Sequence, residues 1–144
     1  MDNFTELENH LASNLKTIRN LKNEVEKKEN EKHDQLKMIA IDVIHILDSI
    51  ESMEEGYIEK GIGKNEEVFK ILERYRAKLL NLLNKQGIQK LEFSNNKLIV
   101  GLCEVVETIA DNNKINDEIV TIVRNGYIRG KESIRDAQLI IVKN

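Results

Sequence analysis

The feature that most constrains this chain is the spacing of apolar residues in its first quarter. Phe4, Leu7, Leu11, Ile18, Leu21 and Val25 follow one another at steps of three and four, with polar Asn14 filling the one intervening slot. A seven-residue repeat keeps a narrow apolar stripe on one side of a helix. Its mismatch with the helical period winds two such helices around each other left-handedly. No other segment of the chain is long enough to cover this stripe, so the expected cover is a second copy running parallel to the first. Asn14 is expected to fix register and strand number at some cost in stability. Continuing the register brings Lys28, Lys32 and Gln35 into the seam before Ile39 restores it, and the coil is expected to be loosest there. Asn3, with Glu6 three residues later, is the expected N-cap.

From Leu36 to Met53 the apolar set widens to Met38, Ile39, Ile41, Val43, Ile44, Ile46, Leu47 and Ile50. One partner helix cannot cover so broad a face, which predicts entry into a helical bundle. Gly56, Gly61 and Gly63 then mark a loop, and Asn65 is the expected cap of a second helix with Glu66 and Glu67 in its first turn. Val68, Leu72, Tyr75, Leu79 and Leu82 line one face, broadened by Phe69, Leu80 and Leu83, and Gly87 supplies a left-handed stop. The dimerisation set is therefore Phe4, Leu7, Leu11, Asn14, Ile18, Leu21, Val25, Ile39, Leu47, Leu72 and Leu79.

After Gly87 the period changes. Leu98 to Ile109, Glu118 to Arg124 and Ser133 to Val142 are short, branched-rich segments separated by Asp111-Asn112-Asn113 and by Gly126 to Gly130, the pattern of a small, mostly antiparallel sheet. The fold class is α+β. Three regions are expected: a coiled-coil stalk over residues 1–35, a helical-bundle dimerisation region over 36–90, and a C-terminal β domain over 91–144.

Composition narrows the function classes. A third of the 144 residues are charged, proline and tryptophan are absent, and there are three Phe and three Tyr, a lean inventory for a globular core but normal for helices that bury a seam. A formal net charge of −3 argues against nucleic-acid binding by the chain as a whole. Cys103 stands alone, so neither an intrachain disulfide nor a multi-cysteine metal site can form, and it reads as a small buried hydrophobe. His10, His33 and His45 lack metal-ligand spacing, and no metal or cofactor is expected. Gly56 and Gly61 have phosphate-loop-like spacing, but Ile62 stands where that motif requires lysine. No catalytic constellation stands out, so the chain is not expected to be an enzyme. The start of the sequence has no signal-peptide pattern, and Leu36 to Ile50 is too short and polar for a bilayer span. No membrane association and a cytoplasmic location are expected.

Three blocks carry a family resemblance. Asp42-Val43-Ile44-His45-Ile46-Leu47-Asp48-Ser49-Ile50-Glu51 looks like the close of the long helix in the GrpE family, the nucleotide-exchange factors of DnaK-type chaperones. Lys78 to Ile88 is similar to that family's second bundle helix. Asn125-Gly126-Tyr127-Ile128-Arg129-Gly130-Lys131, followed by Ile134-Arg135-Asp136-Ala137, resembles its Gly-Tyr turn, Gly-Arg step and Arg-x-Ala strand. The chain departs from the pattern in places: Phe93-Ser94-Asn95-Asn96 lacks a proline, Cys103-Glu104-Val105 stands for His-Glu-Ala, and Lys131 replaces an arginine. The resemblance implies a homodimeric co-chaperone whose β domain binds the ATPase domain of a DnaK-type chaperone and promotes ADP release without chemistry of its own. The alternative is a coiled-coil adaptor whose β module binds a protein without affecting nucleotide.

On that resemblance, the chaperone-binding set is Glu104, Gly126, Tyr127, Arg129, Gly130, Lys131, Arg135 and Ile141. Lys131 and Arg135 read either as contacts or as a solvated turn and a strand-face charge. Gly126 and Gly130 are expected to serve turn geometry. Ile141 reads either as a buried sheet residue or as an exposed apolar contact.

Overall fold

A computed structural model describes residues 2–144. Met1, the first residue of the expected stalk, lies outside the described residues. Eight elements follow in order: α1 (Asp2–Glu59), α2 (Glu67–Lys85), β1 (Ile88–Lys90), β2 (Cys103–Ile109), β3 (Ile119–Arg124), β4 (Tyr127–Arg129), β5 (Glu132–Arg135) and β6 (Ala137–Val142). The α+β class expected from the sequence is the one observed. The chain divides into two compact units, the first ending at Ile39 and the second spanning Ala40–Asn144.

In the first unit, residues 2–32 are exposed throughout. The seam residues Phe4, Leu7, Leu11, Ile18, Leu21 and Val25 are each about half exposed or more, and Ile39 at its end is 61% exposed. Leu15 lies beside the stripe and is also exposed. Ile18, Leu21 and Val25 line a shallow apolar groove on the helix surface. The expected cap at Asn3 is not used as one, because the helix already begins at Asp2, whose carboxylate suits the positive end of the helix dipole.

The second unit starts where one face of α1 turns inward. Ala40, Ile44 and Leu47 recur at helical spacing and are almost completely buried against Leu83 of α2, Ile88 of β1, Tyr127 of β4 and Ile134 of β5. Leu47 is thereby covered within one chain, and Leu79 packs partly buried beside it, whereas both had been assigned to the dimer seam. The cause is the tertiary return of the β strands onto α1, which periodicity alone does not reveal. Leu72 is half-buried. On α2 the inward residues are Phe69 and Leu83, while Tyr75 and Leu82 stay exposed.

The turn between the helices takes in Gly61 and Gly63, as expected, but not Gly56. Gly56 is helical and α1 runs on to Glu59, because Tyr57 packs edge-on against Phe69 with ring centroids 6.3 Å apart and holds the last turn in place. Arg76 of α2 adds an ion pair to Glu54 of α1 at 2.7 Å. The cap of α2 is Glu66 rather than Asn65, and no side chain caps it. Gly87 does turn left-handed at φ +75°, as expected of the stop.

The strands form two three-stranded sheets rather than one, ordered β1-β4-β5 and β2-β6-β3. Every pairing is antiparallel except β2 with β6. Leu98 to Leu102, expected at the start of a strand, instead turn at Gly101 (φ +87°) before β2 begins at Cys103. β6 is central and carries the second core, with Ala137, Leu139 and Ile141 facing Leu91 and Ile119. Among the described residues no helix is long and apolar enough to cross a membrane.

Candidate functional site

The β4–β5 hairpin presents the residues that the sequence singles out. Arg129 pairs with Glu132, leaving Gly130 and Lys131 as a two-residue connection. Gly130 has φ +61° while Lys131 does not enter positive φ, the pattern of a II′ turn with glycine at its first central position. Lys131 is exposed at this tip and Arg129 is half-buried, its side chain passing 3.9 Å from the space beside Gly87. Glu104 lies on β2, exposed, and accepts a hydrogen bond from the Gln138 amide at 3.1 Å.

The other members of the set lie inside. Gly126 is buried where two segments cross: a Cβ there would stand 2.7 Å from the backbone nitrogen of Ala137 and 3.0 Å from its Cβ. Its role is the close approach itself. Ile141 takes the buried of its two readings, at 2% exposure. Tyr127 is 1% exposed, and its hydroxyl finds no hydrogen-bond partner among the described residues. Burial pushes its phenol up to about 12, helped by the nearby negative charges of Glu51 and Asp48 and opposed by Arg135.

Arg135 overturns the reading of a strand-face charge. It is a buried cation, and its fork grips the Asp48 carboxylate of α1 through Nη1 at 2.5 Å and Nη2 at 2.9 Å. Nη2 and Nε also donate to the backbone oxygen of Asn125 at 2.7 and 3.1 Å. The Asn125 amide donates in turn to Glu51 at 3.0 Å, and Lys90 lies 3.7 Å from the other oxygen of Glu51. Four donated hydrogen bonds and one opposite charge offset the desolvation of the guanidinium, whose face also lies 5.5 Å from the Tyr127 ring centre. Beside this network, a cleft of about 360 Å³ opens between α1 and the β3–β4 segment, with Glu55, Arg124 and Gln138 on its walls.

The eight residues thus divide. Glu104, Gly130 and Lys131 are at the surface, Arg129 is at its margin, Gly126, Tyr127 and Arg135 hold the hairpin in place, and Ile141 is buried in the second core. Sequence reasoning missed Asp48 and Asn125 as partners of Arg135, and Glu51 as the partner of Asn125 and Lys90. The available signal was Asp48 and Glu51 three apart on the otherwise apolar face of α1, since a carboxylate on a burying face needs a cation. Burial also raises the Cys103 thiol above its ordinary range. Among the described residues no cluster of His, Cys, Asp and Glu is placed to hold a metal ion.

A family model described as GrpE matches residues 1–143. The chain is also 26% identical over 142 residues to "Protein GrpE 2" of Buchnera aphidicola subsp. Acyrthosiphon pisum (strain APS), covering 98% of this chain and 73% of that protein.

Proposed function

Because the chain belongs to the GrpE family, we propose that it is a homodimeric co-chaperone that binds the ATPase domain of a DnaK-type chaperone and promotes ADP release. The observation that carries this reading is the family match over residues 1–143, which takes in the stalk, the helical region and the β module together. A cytoplasmic setting is part of the proposal.

The mechanism needs binding energy and no bond chemistry. A surface that fits the opened nucleotide cleft of the ATPase domain better than the closed one shifts the population toward opening and weakens ADP retention. A thousandfold rise in dissociation corresponds to an open-state preference of about 4 kcal/mol, at about 1.4 kcal/mol per decade. The working surface in this proposal is the exposed tip around Arg129, Gly130 and Lys131, with Glu104 on the neighbouring sheet. Its positive charge suits acidic groups on a partner and makes association salt-dependent. The exposed seam from Phe4 to Val25 supports a second copy as its cover, with Ile39 and the outer side of α2 adding to the dimer region.

The test is stopped-flow release of a labelled ADP from a DnaK-type ATPase domain. Acceleration by the wild-type chain, reduced by Lys131→Glu and by added salt, is expected. Release at the spontaneous rate, with binding intact, would move the adaptor reading ahead.

A further inference from the structure

We infer that the Asp48–Arg135 pair, a buried guanidinium on a part-exposed carboxylate, is a positioning lock, which fixes the β4–β5 hairpin on α1 so that chaperone binding is converted into nucleotide release. The inference rests on the proposed exchange function and assigns residues within it that touch no partner.

The argument begins with what the apolar contacts can and cannot do. Ile44 and Leu47 of α1 pack against Tyr127 and Ile134 of the first sheet, which brings the two together but sets direction weakly, because apolar contact is non-directional. Arg135 supplies the direction. Its planar fork meets both oxygens of Asp48, and only one relative placement of β5 and α1 satisfies that bidentate geometry. The same guanidinium holds the Asn125 carbonyl, so one side chain ties α1, β5 and the connection into β4. Gly126, next in sequence, allows that connection to press against Ala137. An ion pair taken partly out of water contributes little net stability, and selecting one arrangement is the best-attested use of such pairs.

That arrangement matters mechanically. The Arg129–Gly130–Lys131 tip begins six residues before Arg135 on the same hairpin. If the hairpin pivots on α1, the tip still meets its partner, but the contact no longer imposes the open geometry. Affinity and exchange then separate.

The experiment uses the full-length chain and three proteins: wild type, Arg135→Lys, and the double variant Asp48→Leu with Arg135→Met. The apolar pair removes both charges together, so no orphaned ion remains, while lysine keeps the charge and loses the fork. Spin labels at Glu55→Cys and Lys131→Cys, in a Cys103→Ser background, report the spread of distances between helix and tip without any chaperone. That spread is expected to widen in the double variant, with an intermediate effect for Arg135→Lys. The ADP release rate at saturating co-chaperone should fall at least tenfold in the double variant while the dissociation constant for the nucleotide-free ATPase domain changes by less than threefold. An unchanged distance spread, an unchanged saturating rate, or equal losses in rate and affinity would each overturn the lock. Failure of both variants to fold would also overturn it, since the pair would then serve stability rather than placement. A wild-type chain that does not accelerate ADP release refutes the proposed function instead, and the distance spread still decides the lock.

Discussion

Two glycine-to-alanine substitutions should move stability in opposite directions. At Gly126 an added Cβ would meet the Ala137 nitrogen at 2.7 Å, its Cβ at 3.0 Å and its Cα at 3.2 Å. Two of these are backbone atoms and the third is fixed to backbone, so no flexible side-chain end can yield. The connection into β4 must instead move away from β6, and both cores lie along that line: Tyr127 in one, Ala137 in the other. Overpacking of this kind costs about 1–3 kcal/mol. In a folding unit on the order of 100 residues, each kcal/mol lowers the melting temperature by about 4–8 °C. At Gly56 an added Cβ meets nothing within 4 Å and the residue is helical, so alanine removes a propensity penalty of about 0.5–1 kcal/mol. Calorimetry and urea titration at one fixed protein concentration check both, since the proposed dimer would make melting concentration-dependent. A Gly126→Ala protein that melts with or above the wild type would refute the argument from close approach. A destabilised Gly56→Ala protein would show that this face of α1 is covered.

Replacing Tyr127 with Phe should leave the protein as stable at neutral pH or raise its stability by about 1 kcal/mol, because it removes a buried hydroxyl with no partner; denaturant midpoints test this. The same phenol gives a pH dependence. With its folded value raised to about 12, from an ordinary value of about 10, the native state holds the proton longer than the unfolded chain, so stability is full below pH 10 and falls as pH rises from about 10 to 12. Tyr127→Phe should flatten that slope in alkaline denaturation. Leu11→Asp with Ile18→Asp should bring two charges into the seam and shift sedimentation toward monomer, while circular dichroism keeps the signal of the second unit. Arg135→Glu would place a buried carboxylate against Asp48 and should cost about 3 kcal/mol, read as a loss of folded protein rather than as selective loss of binding.

Periodicity carried the helices, and composition carried the strands, because both report local preferences. The heptads over Phe4 to Val25, the widening at Leu36, the stop at Gly87 and the hairpin glycine at position 130 were legible for that reason. What the sequence did not disclose is which element packs on which. Leu47 and Leu79 read as partner-facing because a helical stripe does not say whether its cover comes from another chain or from strands later in the same one. The division of the strands into two sheets, and the parallel pairing of β2 with β6, are likewise decisions of tertiary contact. Capping was misread at Asn65 because Tyr57 and Phe69 decide where the inter-helix turn falls.

The same distinction reorganises the candidate site. Counted along the chain, Arg124, Arg129, Lys131 and Arg135 lie close together as four positive charges. In the fold, Arg135 is paired with Asp48 and shielded from solvent, so it contributes little to an outward field, while Arg124 is half-buried on the cleft wall. What remains at the tip is Lys131 with Arg129 at its side. With Arg135 tied into the core, the proposed surface would rely on placement as well as on charge. Placement is what Gly126 and Arg135 provide. The residues that make the terminal segment distinctive as a sequence therefore split by burial: Gly126 and Arg135 are set against the core, while Gly130 and the substituted position, Lys131, face solvent where the proposed contact would be made.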